Sequence, residues 1–261
     1  MKRDNHIHTN YCPHASFDSI EMYIEEALLK GLKELTFTEH APLPIKDPVP
    51  KKDSAMKMED VECYISTLKD MQHKYAEKIR IHIGFEVDYI EGHEKKTIDF
   101  LKKYPECIEH SILSVHFLQL KPNDYFCIDY DSDSFVQKGT SIGFETMYRC
   151  YEETLTKALS LPFGEWTPKK IGHLNLIHKF QKAYMVEDPI QWGALMDLAK
   201  MNHYRLDYNF AGIDKPLYEK TYPDADMMMY AKKIGLNYET GSDAHQAKDI
   251  GRYFSSLEEL S

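Results

Sequence analysis

Short apolar stretches alternate with amphipathic helical ones along the whole chain, and each apolar stretch ends at a side chain that can ligate a metal or hydrogen-bond. The spacing predicts strands over residues 2–8, 34–38, 79–85, 111–115, 170–172, 205–208 and 236–240. Helices are expected over 19–30, 60–78, 93–103, 143–159, 189–202 and 224–233. In the first of these, Ile20, Tyr23, Ile24, Ala27 and Leu28 form one stripe that stops at Gly31. Alternating β and α segments running in one direction call for a parallel sheet. About seven such units close most simply into a barrel, with a doubly wound open sheet as the alternative. The 261 residues suit one α/β domain over 1–261, since no composition break marks a second. Two stretches fall outside the pattern. Residues 41–58, rich in Pro and Lys, are expected to be a lid or substrate-facing insert, and 118–133 a loop holding several aspartates and aromatics.

Charge narrows the function classes. The chain has 32 basic against 42 acidic residues, a net charge of −10, which argues against a nucleic-acid or anionic-membrane partner. A small anionic substrate stays open, because bound metal ions supply local positive charge. The five cysteines are odd in number and scattered, with no C-x-x-C, so free thiols in a reducing compartment are expected. No apolar leader precedes the first strand and no run approaches a membrane span, so a cytoplasmic location is expected.

The strand ends carry His6 and His8, His40, Glu86, His116, His173, Asn209, and Asp243 with His245. His6 and His8 are two apart in an extended segment and therefore share a face. His14 follows after a short turn-like run containing Pro13. For any one of these residues a structural role is as good a reading as a ligand. In a parallel barrel, however, the strand ends converge on one rim, and their coincidence points to a metal site. So many imidazoles and carboxylates exceed the needs of one tetrahedral ion, so two or three divalent first-row ions are expected, with Zn, Fe and Mn all suited to such donors. His82, inside a strand, and His73, His93, His110 and His203, away from strand ends, are expected to be packing, surface or cap residues, and Met227 to Met229 a helix-packing run.

These residues also carry a resemblance. The H-x-H-T start with His14, Glu39-His40, Gly84-Phe85-Glu86, Ser114-Val115-His116-Phe117, Gly172-His173 and Gly241-Ser242-Asp243-Ala244-His245 together resemble the PHP (polymerase and histidinol phosphatase) family. The H-x-H-T-x-x-C-x-H start, the stretch IHIGFEVDY and Leu206 to Gly212 followed by Lys215-Pro216 are most similar to its monofunctional histidinol-phosphate phosphatases. The resemblance runs from His6 to about Arg252. It implies a distorted seven-stranded barrel with a trinuclear centre and hydrolysis of a small phosphate ester. It further implies that His6, His8, Glu86 and Asp243 hold one ion, that Glu86 bridges to a second completed by His116 and His173, and that His14, His40 and His245 hold a third. Glu86, Asp243 and His245 are the catalytic members expected of that set. It gives Cys12 no ligand role. Glu39 stands where many members have Asp, a change bearing on how neighbouring imidazoles are oriented.

For a phosphate ester, a cation outside the metal shell is expected. Lys179 and Lys215 each fall six residues past a strand end, at His173 and Asn209, and Arg252 follows the last one; with Asn209 these are the substrate-binding candidates. The aspartates at 129, 131 and 133 are expected to meet a cationic leaving group. Rival readings are another phosphoesterase of the same family, a metal-dependent amidohydrolase, which usually wants a ligating lysine at a strand end, and a metal-binding regulator without activity.

Overall fold

The computed structural model describes residues 3–254, so Lys2 of the first expected strand lies outside the described residues. Seven parallel strands form one sheet: β1 (Arg3–Ile7), β2 (Glu34–His40), β3 (Arg80–Asp88), β4 (Ile112–Ser114), β7 (Lys170–Ile171), β8 (Arg205–Asn209) and β9 (Tyr238–Gly241), adjacent in that order. Between them lie α1 (Ile20–Leu29), α2 (Val61–Tyr75), α3 (Glu94–Leu101), α4 (Ser132–Ile142), α5 (Phe144–Leu159), α6 (Trp192–Met201) and α7 (Ala225–Ile234). The sheet curls until its first and last strands meet. Ile7 bridges Ala244, Asp243 N donates to His6 O (2.8 Å) and His8 N to Ala244 O (2.9 Å). The open-sheet alternative is thereby set aside, and the fold is an α/β TIM-like barrel.

Burial on both faces explains the strand composition. Every residue of β2 is buried, as expected for a parallel strand covered by helices outside and side chains inside. In β3 the two faces separate by period two. Phe85 packs its ring on Tyr64 and Phe100 of the helical layer, while Glu86 and Asp88 point the other way, to histidines. Helix ends follow their capping residues. Ser19 accepts from Met22 N (3.3 Å), Asp224 from Met227 N (3.1 Å), and α7 stops at Gly235, whose φ of 68° suits glycine.

Residues 118–133 are not the plain loop expected. Phe117–Lys121 and Asp124–Cys127 pair antiparallel as β5 and β6, turning at Asn123 with φ 61°. A further helix, α4, starts after Asp131, whose side chain accepts from Ser134 N (2.8 Å). The 41–58 segment lacks regular structure up to Met58, but it is pinned. Asp47 accepts from Val49 N (2.9 Å), Ser54 N (2.9 Å) and Ser54 Oγ (3.1 Å), and Val49 joins Ile90 and Phe117 in a small apolar cluster against the hairpin. Pinned in this way it is a wall over the rim. All five cysteines are free thiols, and no described helix is long and apolar enough to cross a membrane.

Candidate metal centre and substrate cleft

β1 brings His6 and His8 to the rim, and in each ring one nitrogen is committed to a carboxylate. His6 Nδ1 donates to Asp207 Oδ2 (2.8 Å) and His8 Nδ1 to Glu39 Oε1 (3.2 Å). Each Nε2 of the neutral ring is therefore a lone pair, and the two lie 3.2 Å apart. Both also face Glu86 Oε2, at 3.4 and 3.3 Å, and Asp243 Oδ1, at 3.8 and 3.3 Å. Acceptor against acceptor in a buried site is repulsive unless a cation stands between them. The spacing fits one: ligands roughly 2.0–2.1 Å from a tetrahedral ion lie about 3.3 Å from each other.

The same arrangement recurs on the other side of Glu86. His116 Nδ1 donates to Asp88 Oδ1 (2.8 Å), turning its Nε2 towards His173 Nε2 (3.1 Å). Glu86 Oε1 lies 2.9 Å from His173 Nε2 and 3.6 Å from His116 Nε2, so the two carboxylate oxygens serve two different nitrogen groups. Ser114 Oγ donates to Oε1 (2.6 Å) and fixes the carboxylate. Its hydroxyl occupies the space a side chain at Gly172 would need, which is why glycine precedes His173.

A third group forms at the edge. His14 Nε2 and His245 Nε2 are 3.1 Å apart, and His40 presents Nδ1 to Glu86 Oε2 at 3.1 Å. That buried Nδ1 has no hydrogen-bond partner, as expected of a nitrogen reserved for a metal. Donor atoms of His8, Cys12, His40 and His245 lie within 4.8 Å of one another here; His14 sits more exposed, with its Nδ1 donating to Asp53 O (2.7 Å). Cys12 was not expected among them. Asp88 joins His40 and His116 in a further group.

Charge follows from this packing. Burial alone would raise the Glu86 carboxyl, but His6, His40 and His116, with the hydrogen bond from His173, outweigh it and hold its pKa well below the usual range. Burial opposes protonation of His6 and His116, yet Asp207, Glu86 and Asp243 around the first, and Asp88 and Glu86 around the second, push both up to about 10. Asp243 and His173 have positive φ values of 51° and 22°, so two prospective ligands are held in strained backbone, as functional sites often require.

Over these donors lie two cavities, of about 320 and 280 Å³, which share His14, His40, His116, Asp129 and Lys179 and so form one cleft. The larger also contains Lys215 and Arg252. Lys179 binds Asp129 (Nζ to Oδ2 3.1 Å), and Arg252 binds Asp214 (2.9 Å) and the backbone oxygen of Asp243 (3.2 Å). Lys215 has no side-chain partner among the described residues. Burial, with Lys179 and Arg252 nearby, holds its ammonium below the ordinary lysine value. Asn209, expected to face substrate, is fully buried behind the ligands. Its Nδ2 donates to Asp207 Oδ2 (3.0 Å) and Asp243 Oδ2 (3.2 Å), and its Oδ1 accepts from Ala211 N (2.9 Å). It orients Asp243 from behind. Asp88 and Asp207 were not singled out from the sequence. The available signal was period two, since each shares a strand face with a residue that was, Glu86 and Asn209 respectively.

Comparison with known proteins identifies the family. The model of the PHP domain matches residues 4–211. Histidinol-phosphatase of Bacillus subtilis (strain 168) is 38% identical over 264 residues, covering 98% of each chain. Among solved structures, a candidate histidinol phosphatase from Listeria monocytogenes superposes with a TM-score of 0.88 at 32% identity, covering 98% of this chain and 99% of its own. Histidinol phosphate phosphatase from Lactococcus lactis, solved with zinc, L-histidinol and phosphate, shares the fold with a TM-score of 0.69 at 19% identity, covering 100% of this chain and 94% of its own. With its matched domain, its barrel and its strand-end donors, this chain belongs to the PHP family.

Proposed function

We propose that the protein is a metal-dependent phosphomonoesterase that hydrolyses L-histidinol phosphate to L-histidinol and inorganic phosphate in histidine biosynthesis, the whole chain acting as one catalytic domain. The observation that carries this reading is a cluster of buried acceptor atoms open to a cleft with an unpaired lysine. Glu86 bridges two ion positions, one completed by His6, His8 and Asp243 and the other by His116 and His173; His40 and His245, with His14, serve a third. Divalent first-row ions bound there acidify a water and neutralise phosphoryl oxygens. The chain's own part is to hold the His6, His8 and His116 rings with Nε2 turned inward, through Asp207, Glu39 and Asp88, and to place cations on the far side of the phosphate. Lys215, with Lys179 and Arg252, meets the phosphoryl oxygens that point away from the ions and holds phosphorus for in-line displacement.

The substrate is accordingly a small molecule and the setting a cytoplasmic one. An amidohydrolase reading is disfavoured by Lys170, the lysine within a barrel strand, whose Nζ is occupied by Asn5 O (2.9 Å) and Glu239 (3.1 Å) and not by the metal donors. The test is turnover of histidinol phosphate beside an aryl phosphate and a short oligonucleotide, with metal content determined on the same sample. A large kcat/KM preference for histidinol phosphate supports the reading. Activity on the aryl ester alone keeps the phosphatase and discards the substrate, and no activity at full metal content rejects the enzyme.

A further inference from the structure

We propose that the cavity walled by the 41–58 segment and Tyr130 is the leaving-group subsite, and that the Asp53 carboxylate accepts the cationic amine of the alcohol released there. This rests on the phosphomonoesterase reading and specifies what that site selects. The 280 Å³ cavity adjoins the metal donors on the side away from Lys215 and Arg252. An ester whose phosphate lies over the ions, against those two cations, therefore extends its alcohol portion into this second cavity. Its lining suits a flat heteroaromatic group with a charged amine. Val49 and Phe117 are buried and fixed in the small apolar cluster, and Tyr130 packs against it.

Three carboxylates line this cavity, and two are already engaged. Asp129 is taken by Lys179 and by the Cys127 thiol (3.2 Å), and Asp88 by the ring and backbone N–H of His116 (2.8 and 3.2 Å). The carboxylate of Asp53 has no partner among the described residues, although its residue is half-buried. Asp131, expected from the sequence to meet a cationic leaving group, instead caps α4. Asp53 is also held in place. Its carbonyl accepts from His14 Nδ1 (2.7 Å), and the following residue, Ser54, is clamped twice by Asp47. Of the two cations that line the cavity, Lys179 is bound to Asp129 and Lys51 is exposed.

The Asp53→Asn variant keeps the backbone carbonyl and removes only the charge. With histidinol phosphate, KM is expected to rise about tenfold or more, the scale of a lost charge-assisted hydrogen bond, with kcat within about twofold. The deamino analogue of the same ester and 4-nitrophenyl phosphate should be unaffected, metal content should not change, and inhibition by the product L-histidinol should weaken in parallel. Asp53→Glu should recover part of the loss, and Asp53→Ser gives the same comparison if the Asn variant folds poorly. Equal effects on all three esters, or none on any, would overturn the subsite. If the unaltered protein hydrolyses the aryl ester but not histidinol phosphate, the substrate reading falls and the subsite with it; if it hydrolyses histidinol phosphate and Asp53→Asn is indifferent, the subsite alone falls.

Discussion

His6, His8 and His116 each turn a lone pair inward because the opposite nitrogen is held by a carboxylate, at Asp207, Glu39 and Asp88. These partners fix tautomer and angle, and loss of one typically costs about 10–100-fold in metal affinity or activity. Asp207→Asn should therefore weaken the ion held by His6 by about that factor, read by competition with a chromogenic chelator, while the folded content stays near normal. Lys215→Met should leave metal content unchanged and lower kcat/KM by roughly 10²-fold, the scale of one lost oxyanion-directed donor; an effect below about threefold would remove Lys215 from the phosphate site. The clustered donors were legible because His, Glu and Asp stand out at the ends of apolar strands. Of their orienting partners Glu39 was legible through the resemblance, but Asp88 and Asp207 were not, because Asp88 closes a β3 that runs three residues past the expected strand and Asp207 lies inside β8, where an acidic residue has no local pattern to mark its use. Asn209 was legible as a site residue but not in its role, since which way a buried amide faces depends on strands distant in sequence.

At the scale of elements, the barrel strands were legible from apolar runs and the helices from stripes and caps, but residues 118–133 were not. The β5–β6 hairpin is short and half-exposed, so alternation is weak, and the run from Ser132 to Ile142 is too polar to display a stripe. The 41–58 segment was expected as a lid or substrate-facing insert and its fixed course was not legible, because it is held by Asp47 within it and by the distant His14, Lys96 and Phe117. Asp47→Ala should destabilise the protein by about 1 kcal/mol and raise KM for histidinol phosphate, with metal content unchanged. Urea unfolding and steady-state kinetics on the same preparation check both. An unchanged KM would mean that the segment does not wall the substrate. Gly241 shows the opposite kind of constraint: a side chain there would meet Asp207 and His6 Cβ, so the last strand can approach the first only as glycine.

For the whole molecule, the metal centre and the seam of the barrel coincide. β1 meets the segment that follows β9 through Ile7 with Ala244 and His6 with Asp243, and His6 and Asp243 are prospective ligands of one ion. An ion there fastens the first strand to the last, so chelation should lower Tm and raise hydrogen exchange at residues 3–9 and 238–245 ahead of the remaining strands. The pH dependence has a defined sign. His6 and His116 have pKa values pushed up from 6.5 to about 10, so their contribution to the metal-free fold is fully present below about 6.5 and is lost as pH rises through about 10. Glu86 and Asp243 act oppositely: burial opposes their charge but the histidines prevail, so their contribution is lost only as pH falls through their lowered values. Metal needs the deprotonated rings, so Tm of metal-free protein should fall from pH 6.5 towards 10 while the gap to metal-loaded protein widens. The measurement to make is a titration of chelated protein with Mn²⁺ or Zn²⁺, following bound metal and histidinol phosphate turnover together. Turnover should rise from zero in step with two to three bound equivalents, and fail to rise in Glu86→Ala, whereas full turnover by metal-free protein, or by Glu86→Ala, would contradict a metal centre bridged by Glu86.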